Sequence, residues 1–203
     1  MPQTPDPHEF REAMEQASSI ASRVQVDLMD GVFAPNKNTN PIQCWWPEDI
    51  EADIHFMYQK PLTDLTTLIS LKPHMIILHA ESDGNILDAI THIAKFGIKT
   101  GVALLIDTQP EAYVDLISVA DHVLLFGGTL GESGQAELSV LDKIEKITQV
   151  NPTIEIGWDG GATLENVRQI ADAGVEVINV GGAIRGTDDP LKSYQQLMNQ
   201  LEK

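Results

Sequence analysis

The hydrophobic residues of this chain fall into short runs, separated by stretches in which apolar side chains recur every three or four positions. The first short run is strictly alternating, as in a strand whose two faces differ. One face would carry Val24, Val26 and Leu28, and the other Gln25, Asp27 and Met29. A carboxylate on an otherwise inward face is costly unless it is paired, bound to a metal or used in chemistry. Asp27 is therefore either a loop-capping residue or a functional one.

The same reading along the whole chain predicts strands and helices in regular alternation. We predict strands at residues 24–29, 50–57, 75–79, 100–106, 122–126, 153–158 and 175–180. We predict helices at residues 8–22, 61–71, 85–96, 110–119, 138–150 and 164–173, with a closing helix from about residue 190. These strands include hydrophobic runs of the kind that is typical of parallel sheets covered on both faces.

Regular βα repetition over 203 residues leaves two architectures, an open doubly wound sheet or a (β/α)8 TIM barrel. We predict the barrel, formed by residues 1–203 as one domain. An eighth strand could come only from residues 1–6, which contain two prolines, so the first barrel strand is predicted to be degraded or missing.

Residues 32–47 form a connection longer than most loops that only join two elements. The segment contains three prolines, counting Pro47, and the Trp45-Trp46 pair. It is either a lid or subunit interface, or a surface excursion pinned by its tryptophans.

Composition narrows the function classes. The formal net charge of −17 argues against nucleic acid or an anionic membrane as a partner. It leaves room for a phosphorylated small molecule, which backbone N–H groups can hold. One cysteine, Cys44, leaves no internal disulfide and suits a reducing compartment. With neither a signal peptide nor an apolar run of membrane-spanning length, we expect a cytoplasmic protein.

Titratable residues cluster at the carboxyl ends of the predicted strands, where barrel enzymes carry their chemistry. They are Asp27, His55, His79, Glu81, Asp107 and Asp159. Each has a plainer interpretation: the histidines as core residues with satisfied hydrogen bonds, and Glu81 and Asp107 as helix caps.

Three glycine-containing turns follow the later strands: Gly134-Gln135, Gly160-Gly161 and Gly181-Gly182. Phosphate sites in barrels collect after the seventh and eighth strands, so these turns could form a phosphate cradle. A tight turn would explain each pair equally well.

Several motifs, in order, resemble those of the ribulose-phosphate 3-epimerases over roughly residues 8–190. They are Gln25-Val26-Asp27-Leu28-Met29-Asp30-Gly31, Phe33-Ala34-Pro35-Asn36, Asp53-Ile54-His55-Phe56-Met57, His79-Ala80-Glu81, Gly131 to Gln135, Trp158-Asp159-Gly160-Gly161 and Gly181-Gly182-Ala183-Ile184. The resemblance implies a ribulose-phosphate-binding barrel that interconverts D-ribulose 5-phosphate and D-xylulose 5-phosphate. It also implies a homo-oligomer.

By this resemblance, proton transfer at C3 falls to Asp27 and Asp159, on opposite faces of the sugar. The resemblance also implies that Asp27, His55 and Asp159 bind a divalent metal ion, with Gln25 at the fourth ligand position. Zinc is the first candidate, and manganese, iron, cobalt and magnesium are the alternatives. The implied substrate and phosphate contacts are Met29, His55, Gly134, Gln135, Gly160, Gly161, Gly181 and Gly182.

The chain departs from the family pattern at three places. Gln25 stands where the family has a histidine ligand, and Glu132 replaces a small or aromatic residue in the flexible loop. Thr4 is a doubtful counterpart of the first strand's serine. Arg185, just past the closing glycines, either compensates for the charge of Glu132 near a phosphate or is a surface residue. Three interpretations stay open: the epimerase, another isomerase or aldolase-type enzyme acting on a ketose phosphate, and a non-catalytic phosphosugar-binding or interaction protein.

Overall fold

The computed structural model describes residues 6–131 and 134–202. Seven parallel strands form one sheet, and each strand pairs with its neighbours in the chain. The strands are β1 (Arg23–Met29), β2 (Glu51–Met57), β3 (Met75–His79), β4 (Lys99–Leu104), β5 (His122–Phe126), β6 (Glu155–Asp159) and β7 (Val177–Asn179). A doubly wound sheet reverses its strand order at a switch point, and this sheet does not, so the nearly closed barrel is confirmed.

Helices cover the outside of the sheet. They are α1 (Pro7–Ser18), α2 (Leu65–Ser70), α3 (Ile86–Ala94), α4 (Val114–Val119), α5 (Lys143–Val150), α6 (Val167–Asp172), α7 (Gly182–Arg185) and α8 (Pro190–Leu201). Three of the predicted helices begin instead as 3₁₀ turns, at Pro61–Thr63, Pro110–Tyr113 and Leu138–Asp142. None of the helices in the described ranges is long and apolar enough to cross a bilayer.

The predicted first strand lies mostly outside the described residues. Asp6, its one described residue, is the N-cap of α1, and its side chain accepts a hydrogen bond from the backbone N–H of His8. Within residues 6–131 and 134–202, no pairing joins β7 to β1. A cavity of about 630 Å³ opens between these two strands and extends to α1 and α8.

The inside of the barrel is filled in layers. A small apolar cluster occupies the middle: Met75, Ile77, Ala103 and Leu124. Below it, near the amino ends of the strands, lies a charged layer of Arg23, Asp53, His122 and Glu155. Above it, at the carboxyl ends, lie the polar side chains of the candidate site. The larger core lies between the outer face of the sheet and the helices.

In the lower layer, the Arg23 guanidinium bridges two carboxylates. It donates two hydrogen bonds to Glu155, at 2.9 and 2.8 Å, and one to Asp53 at 2.7 Å. His122 Nδ1 lies 2.7 Å from Glu155 Oε2. Hydrogen bonds from Arg23 and then His122 hold the pKa of Glu155 well below its usual range.

Replacing Glu155 with glutamine should therefore lower stability at neutral pH by about 1–3 kcal/mol, because charge-assisted bonds are lost. A carboxyl whose pKa is depressed by folding stabilises the protein above its unfolded pKa, near 4.5, and loses that effect as pH falls. Denaturant unfolding of wild type and Glu155→Gln should thus differ at pH 7, and the difference should shrink progressively as the pH falls below about 4.5. The matched control is Glu176→Gln, at an exposed carboxylate; a constant Glu155→Gln difference across this range would contradict the assignment.

Candidate active site

Three side chains converge where β1, β2 and β6 end. Asp27 lies opposite His55 in the β1–β2 register, and Asp159 ends β6. His55 Nδ1 is 3.3 Å from Asp27 Oδ1 and 3.3 Å from Asp159 Oδ2. His55 is fully buried, while the two carboxylates are partly exposed. The three residues predicted from separate strand ends are therefore brought together.

Gln25 precedes Asp27 by two residues on the same face of β1, and its side-chain amide lies among these groups. Its Nε2 atom is 2.8 Å from Asp27 Oδ1, 2.8 Å from Asp159 Oδ2 and 3.4 Å from His55 Nδ1. Its Oε1 atom is buried and has no hydrogen-bond partner among the described residues. The nitrogen thus stands between the atoms that would bind an ion.

A second histidine supports the first from behind. His55 Nε2 lies 2.8 Å from His79 Nε2, and His79 Nδ1 lies 3.3 Å from Glu81 Oε2. The other oxygen of Glu81 accepts hydrogen bonds from the Leu105 backbone N–H and the Thr108 hydroxyl. A row of hydrogen bonds therefore runs from the aspartates through both histidines to an anchored carboxylate.

This row corrects one of the plainer interpretations of the sequence. Glu81 does not cap α3, because Asn85 does so through a bond from the Asp88 N–H. His79 is a buried histidine with hydrogen-bond partners, as the plainer interpretation had it, and those partners are His55 and Glu81. Asp107 is exposed and lies outside the cluster.

The charges in this row follow from burial and pairing. For His55, burial alone would lower the pKa, but hydrogen bonds to Asp159 and Asp27 raise it to about 9. For His79, burial lowers the pKa to about 4, because Glu81 only partly compensates. Burial also acts to raise the pKa of Asp27, yet positive charge nearby, including His55, and the Gln25 amide hold it below its usual range.

One arrangement of protons satisfies the hydrogen bonds that join the aspartates, His55, His79 and Glu81. His55, as a cation, donates Nδ1–H to the aspartates and Nε2–H to His79. Neutral His79 accepts at Nε2 and donates Nδ1–H to Glu81. The Nδ1 side of His55 is thereby the side presented to the aspartate pair.

The loop after β1 holds Asp27 in place, a contribution that the sequence reading missed. Asn38 is buried; its Oδ1 accepts from the Met29 N–H, and its Nδ2 donates to the Asp27 carbonyl. The long segment 32–47 thus folds back onto the strand end. Trp46 packs on the core, and Trp45 is 38% exposed with the Arg11 guanidinium 4.2 Å from its ring centre.

All of the predicted contact residues except His55 line the cavity described above. Its walls include Gln25, Asp27, Met29, Gly134, Gln135, Asp159, Gly160, Gly161, Gly181 and Gly182. His55 does not line the cavity and lies buried behind the two aspartates. The Glu132 and Thr4 departures lie outside the described residues.

Two of these glycines are required by the backbone. Gly160 and Gly161 have φ of +108° and +66°, which disfavours any side chain. A Cβ on Gly160 would collide with the Gly128 backbone, and one on Gly161 with Ala136. Both glycines line the cavity, and the backbone N–H groups of such turns can bind an anion.

The donor set suits a divalent ion. Among the described residues, Asp27, His55 and Asp159 each offer one ligand atom, and these atoms lie within 4.8 Å of one another. Two carboxylate oxygens and an imidazole nitrogen are ligands that zinc and similar ions accept. Gln25 Oε1, for which the described part of the chain offers no hydrogen-bond partner, is a further oxygen that could bind the ion, on the side chain that contacts both aspartates.

Comparison with known proteins adds sequence relatives. The chain matches the model of the ribulose-phosphate 3 epimerase family over residues 4–185. It is 28% identical to a ribulose-phosphate 3-epimerase of Mycobacterium tuberculosis over 202 aligned residues, covering 95% of this chain and 88% of the relative. A ribulose-phosphate 3-epimerase of Helicobacter pylori is 28% identical over 192 residues, covering 91% and 88%.

Solved structures support the fold alone. A structure of KGPDC from Streptococcus mutans, in complex with D-R5P, superposes with a TM-score of 0.73 at 8% identity, covering 98% of this chain and 94% of that one. A 3-hexulose-6-phosphate synthase gives a TM-score of 0.70 at 16% identity, covering 95% and 94%.

Proposed function

Because the chain belongs to the ribulose-phosphate 3-epimerase family, we propose that it interconverts D-ribulose 5-phosphate and D-xylulose 5-phosphate. The observation that supports this reaction best is the aspartate pair. Asp27 and Asp159 reach one cavity from non-adjacent strands, and both lie within 3.3 Å of the same His55 nitrogen. Inversion at a carbon needs a base on one face and an acid on the other, and two separate carboxylates can supply both.

In the proposed reaction, one aspartate removes the proton from C3 and the other delivers a proton to the opposite face. Asp27 suits the accepting role in at least one direction, because its lowered pKa keeps it ionised at neutral pH. Reversal of the reaction exchanges the two roles. The buried His55 and the Gln25 amide keep the carboxylates oriented towards the cavity through the bonds described above.

The ion would be held by Asp27, His55 and Asp159, with zinc as the first candidate. When bound, a divalent ion supplies positive charge that stabilises the oxyanion developing on the substrate next to C3. The His79–Glu81 pair fixes the His55 ring so that Nδ1 faces the site. Supporting hydrogen bonds of this kind commonly orient histidine ligands.

The phosphate would lie against the glycine turns at the far wall of the cavity. The N–H groups of Gly160, Gly161, Gly181 and Gly182 are the proposed donors. Arg185 lines the same cavity, with Nη2 3.2 Å from where a Gly181 Cβ would be. Its positive charge would assist phosphate binding in a strongly acidic protein.

A glycine substitution tests this phosphate position. Gly161→Ala forces a side chain into a left-handed backbone and against Ala136, so the turn must move. We expect KM for the sugar phosphate to rise about tenfold, as from the loss of a hydrogen bond to a charged group, with a smaller change in kcat. Gly97→Ala is the matched control: its φ is +73° and nothing lies within 4 Å of the added Cβ. If KM is unchanged in Gly161→Ala, the turn does not hold the phosphate.

The reaction itself is tested by product identity. Purified protein supplied with zinc or manganese and D-ribulose 5-phosphate should form D-xylulose 5-phosphate, detected by ¹³C NMR of the labelled sugar. Formation of a different ketose phosphate would support an isomerase or aldolase-type activity instead. Binding of the sugar phosphate without any conversion would support the non-catalytic alternative. That the protein forms a homo-oligomer stays a prediction, which light scattering would check.

A further inference from the structure

We propose that the Gln25 side-chain amide is a two-position group in this site. In the metal-free protein its NH2 group bridges the Asp27 and Asp159 carboxylates, and in the metal-bound protein the amide turns over so that Oε1 joins the ion's ligands. The inference rests on the proposed metal-assisted function. It adds how the same site is held together before the ion arrives.

The bridging position follows from the distances. An amide NH2 group has two hydrogens, and two carboxylate oxygens lie 2.8 Å from Nε2, one on Asp27 and one on Asp159. Both acceptors are carboxylate oxygens, with which an amide N–H group forms stronger hydrogen bonds than with neutral acceptors. The amide therefore uses its full donor capacity on the two proposed catalytic residues.

The opposite orientation is unfavourable without a cation. Turning the amide by 180° would bring Oε1 to the place of Nε2, about 2.8 Å from the two carboxylate oxygens. Three oxygens with partial or full negative charge would then face one another, with only the single Nδ1–H of His55 to share among them. The two carboxylate oxygens thus determine that Nε2, and not Oε1, is the amide atom that faces them.

A bound ion reverses this preference. In the bridging position Oε1 is buried and has no hydrogen-bond partner among the described residues, and leaving a buried carbonyl unpaired is unfavourable. With a cation among Asp27, His55 and Asp159, the same oxygen gains a positive partner, while the NH2 group would be repelled. The charge at the centre of the site therefore selects the orientation of the amide.

A histidine at this position could not act in the same way. A neutral imidazole presents one nitrogen to any one neighbour and has a single hydrogen to donate. It could not donate to both carboxylates at once. The glutamine thus replaces a dedicated metal ligand by a group that also holds the metal-free aspartates in place.

The direct test is the NMR signal of the Gln25 side-chain NH2 in ¹⁵N-labelled protein without substrate. The signal is identified by its absence in Gln25→Met, which keeps a similar length but has no amide. In chelator-treated wild type, both protons should be shifted downfield and protected from solvent exchange. Saturating zinc should move them upfield and speed their exchange at least tenfold.

Two results would overturn the proposal. One is an NH2 group that exchanges freely in the metal-free protein, since the bridge would then be absent. The other is an NH2 signal that zinc leaves unchanged although a shift of the His55 ring signals proves that the ion has bound. If zinc does not bind at all, the metal-bound orientation of the amide does not exist, and the proposal is overturned as well.

Stability gives an independent readout. Metal-free Gln25→Met should melt about 5 °C or more below metal-free wild type, because two charge-assisted bonds are lost. Gln149→Met, at an exposed glutamine of α5, is the matched control and should change little. An unchanged melting temperature in Gln25→Met would contradict the bridge. None of these measurements uses turnover, so the inference and the proposed epimerase reaction can fail separately.

Discussion

Asp27→Asn and Asp159→Asn should each lose turnover by about 10²–10⁴-fold, the usual contribution of a positioned acid or base. An asparagine keeps the shape of the side chain but can neither accept nor return a proton at neutral pH. Both positions lie on the rim of a cavity rather than in the apolar core, so the fold should survive. Circular dichroism and thermal melting check that expectation.

The two variants should also differ from each other. If each aspartate serves one face of the sugar, a variant with one remaining base can still exchange the C3 proton of one epimer with solvent. Asp27→Asn and Asp159→Asn should therefore retain exchange with opposite epimers. Asp107→Asn, at an exposed aspartate just after β4, is the matched control and should keep full activity. Full activity in either test variant would remove that residue from its proposed role.

The second large effect concerns Gln25→His. An imidazole nitrogen binds zinc better than an amide oxygen, and it ends the competition between the amide bridge and the ion. Zinc affinity should therefore rise by about 10-fold to 100-fold, the range in which residues around a metal site alter binding. Competition with a chelator of known affinity measures the change. Gln149→His is the control, and unchanged zinc content and affinity in Gln25→His would place Gln25 outside the metal shell.

The fold was largely predictable because a strand that is buried on both faces appears in the sequence as a continuous hydrophobic run. The runs at 75–79 and 122–126 match β3 and β5 in full, since every residue in them is buried. The last strand was predicted at 175–180 but spans Val177–Asn179. This strand lies at the edge of the sheet, where no described strand pairs with it on the side facing β1. The apolar sequence extends past the three residues that pair with β6, so the hydrophobic pattern predicts a longer strand.

The candidate site was only partly predictable. The position of Asp27, His55 and Asp159 at strand ends indicated that they could meet, because barrel strands end on one rim. The His55–His79 contact and the Gln25 bridge depend on how side chains from neighbouring strands fill the interior, which periodicity along one strand does not show. Asn38 was missed because its role depends on the loop folding back onto β1.

Solvent exchange at C3 tests the central claim most directly. The metal-loaded protein is incubated with D-ribulose 5-phosphate in D₂O, and deuterium at C3 is followed by NMR. Proton transfer by Asp27 and Asp159 predicts that label enters C3 as D-xylulose 5-phosphate forms, and that neither occurs in the double Asp27→Asn, Asp159→Asn variant. Conversion without any label at C3, or no label while the sugar phosphate still raises the melting temperature, would contradict two-base epimerisation at this site.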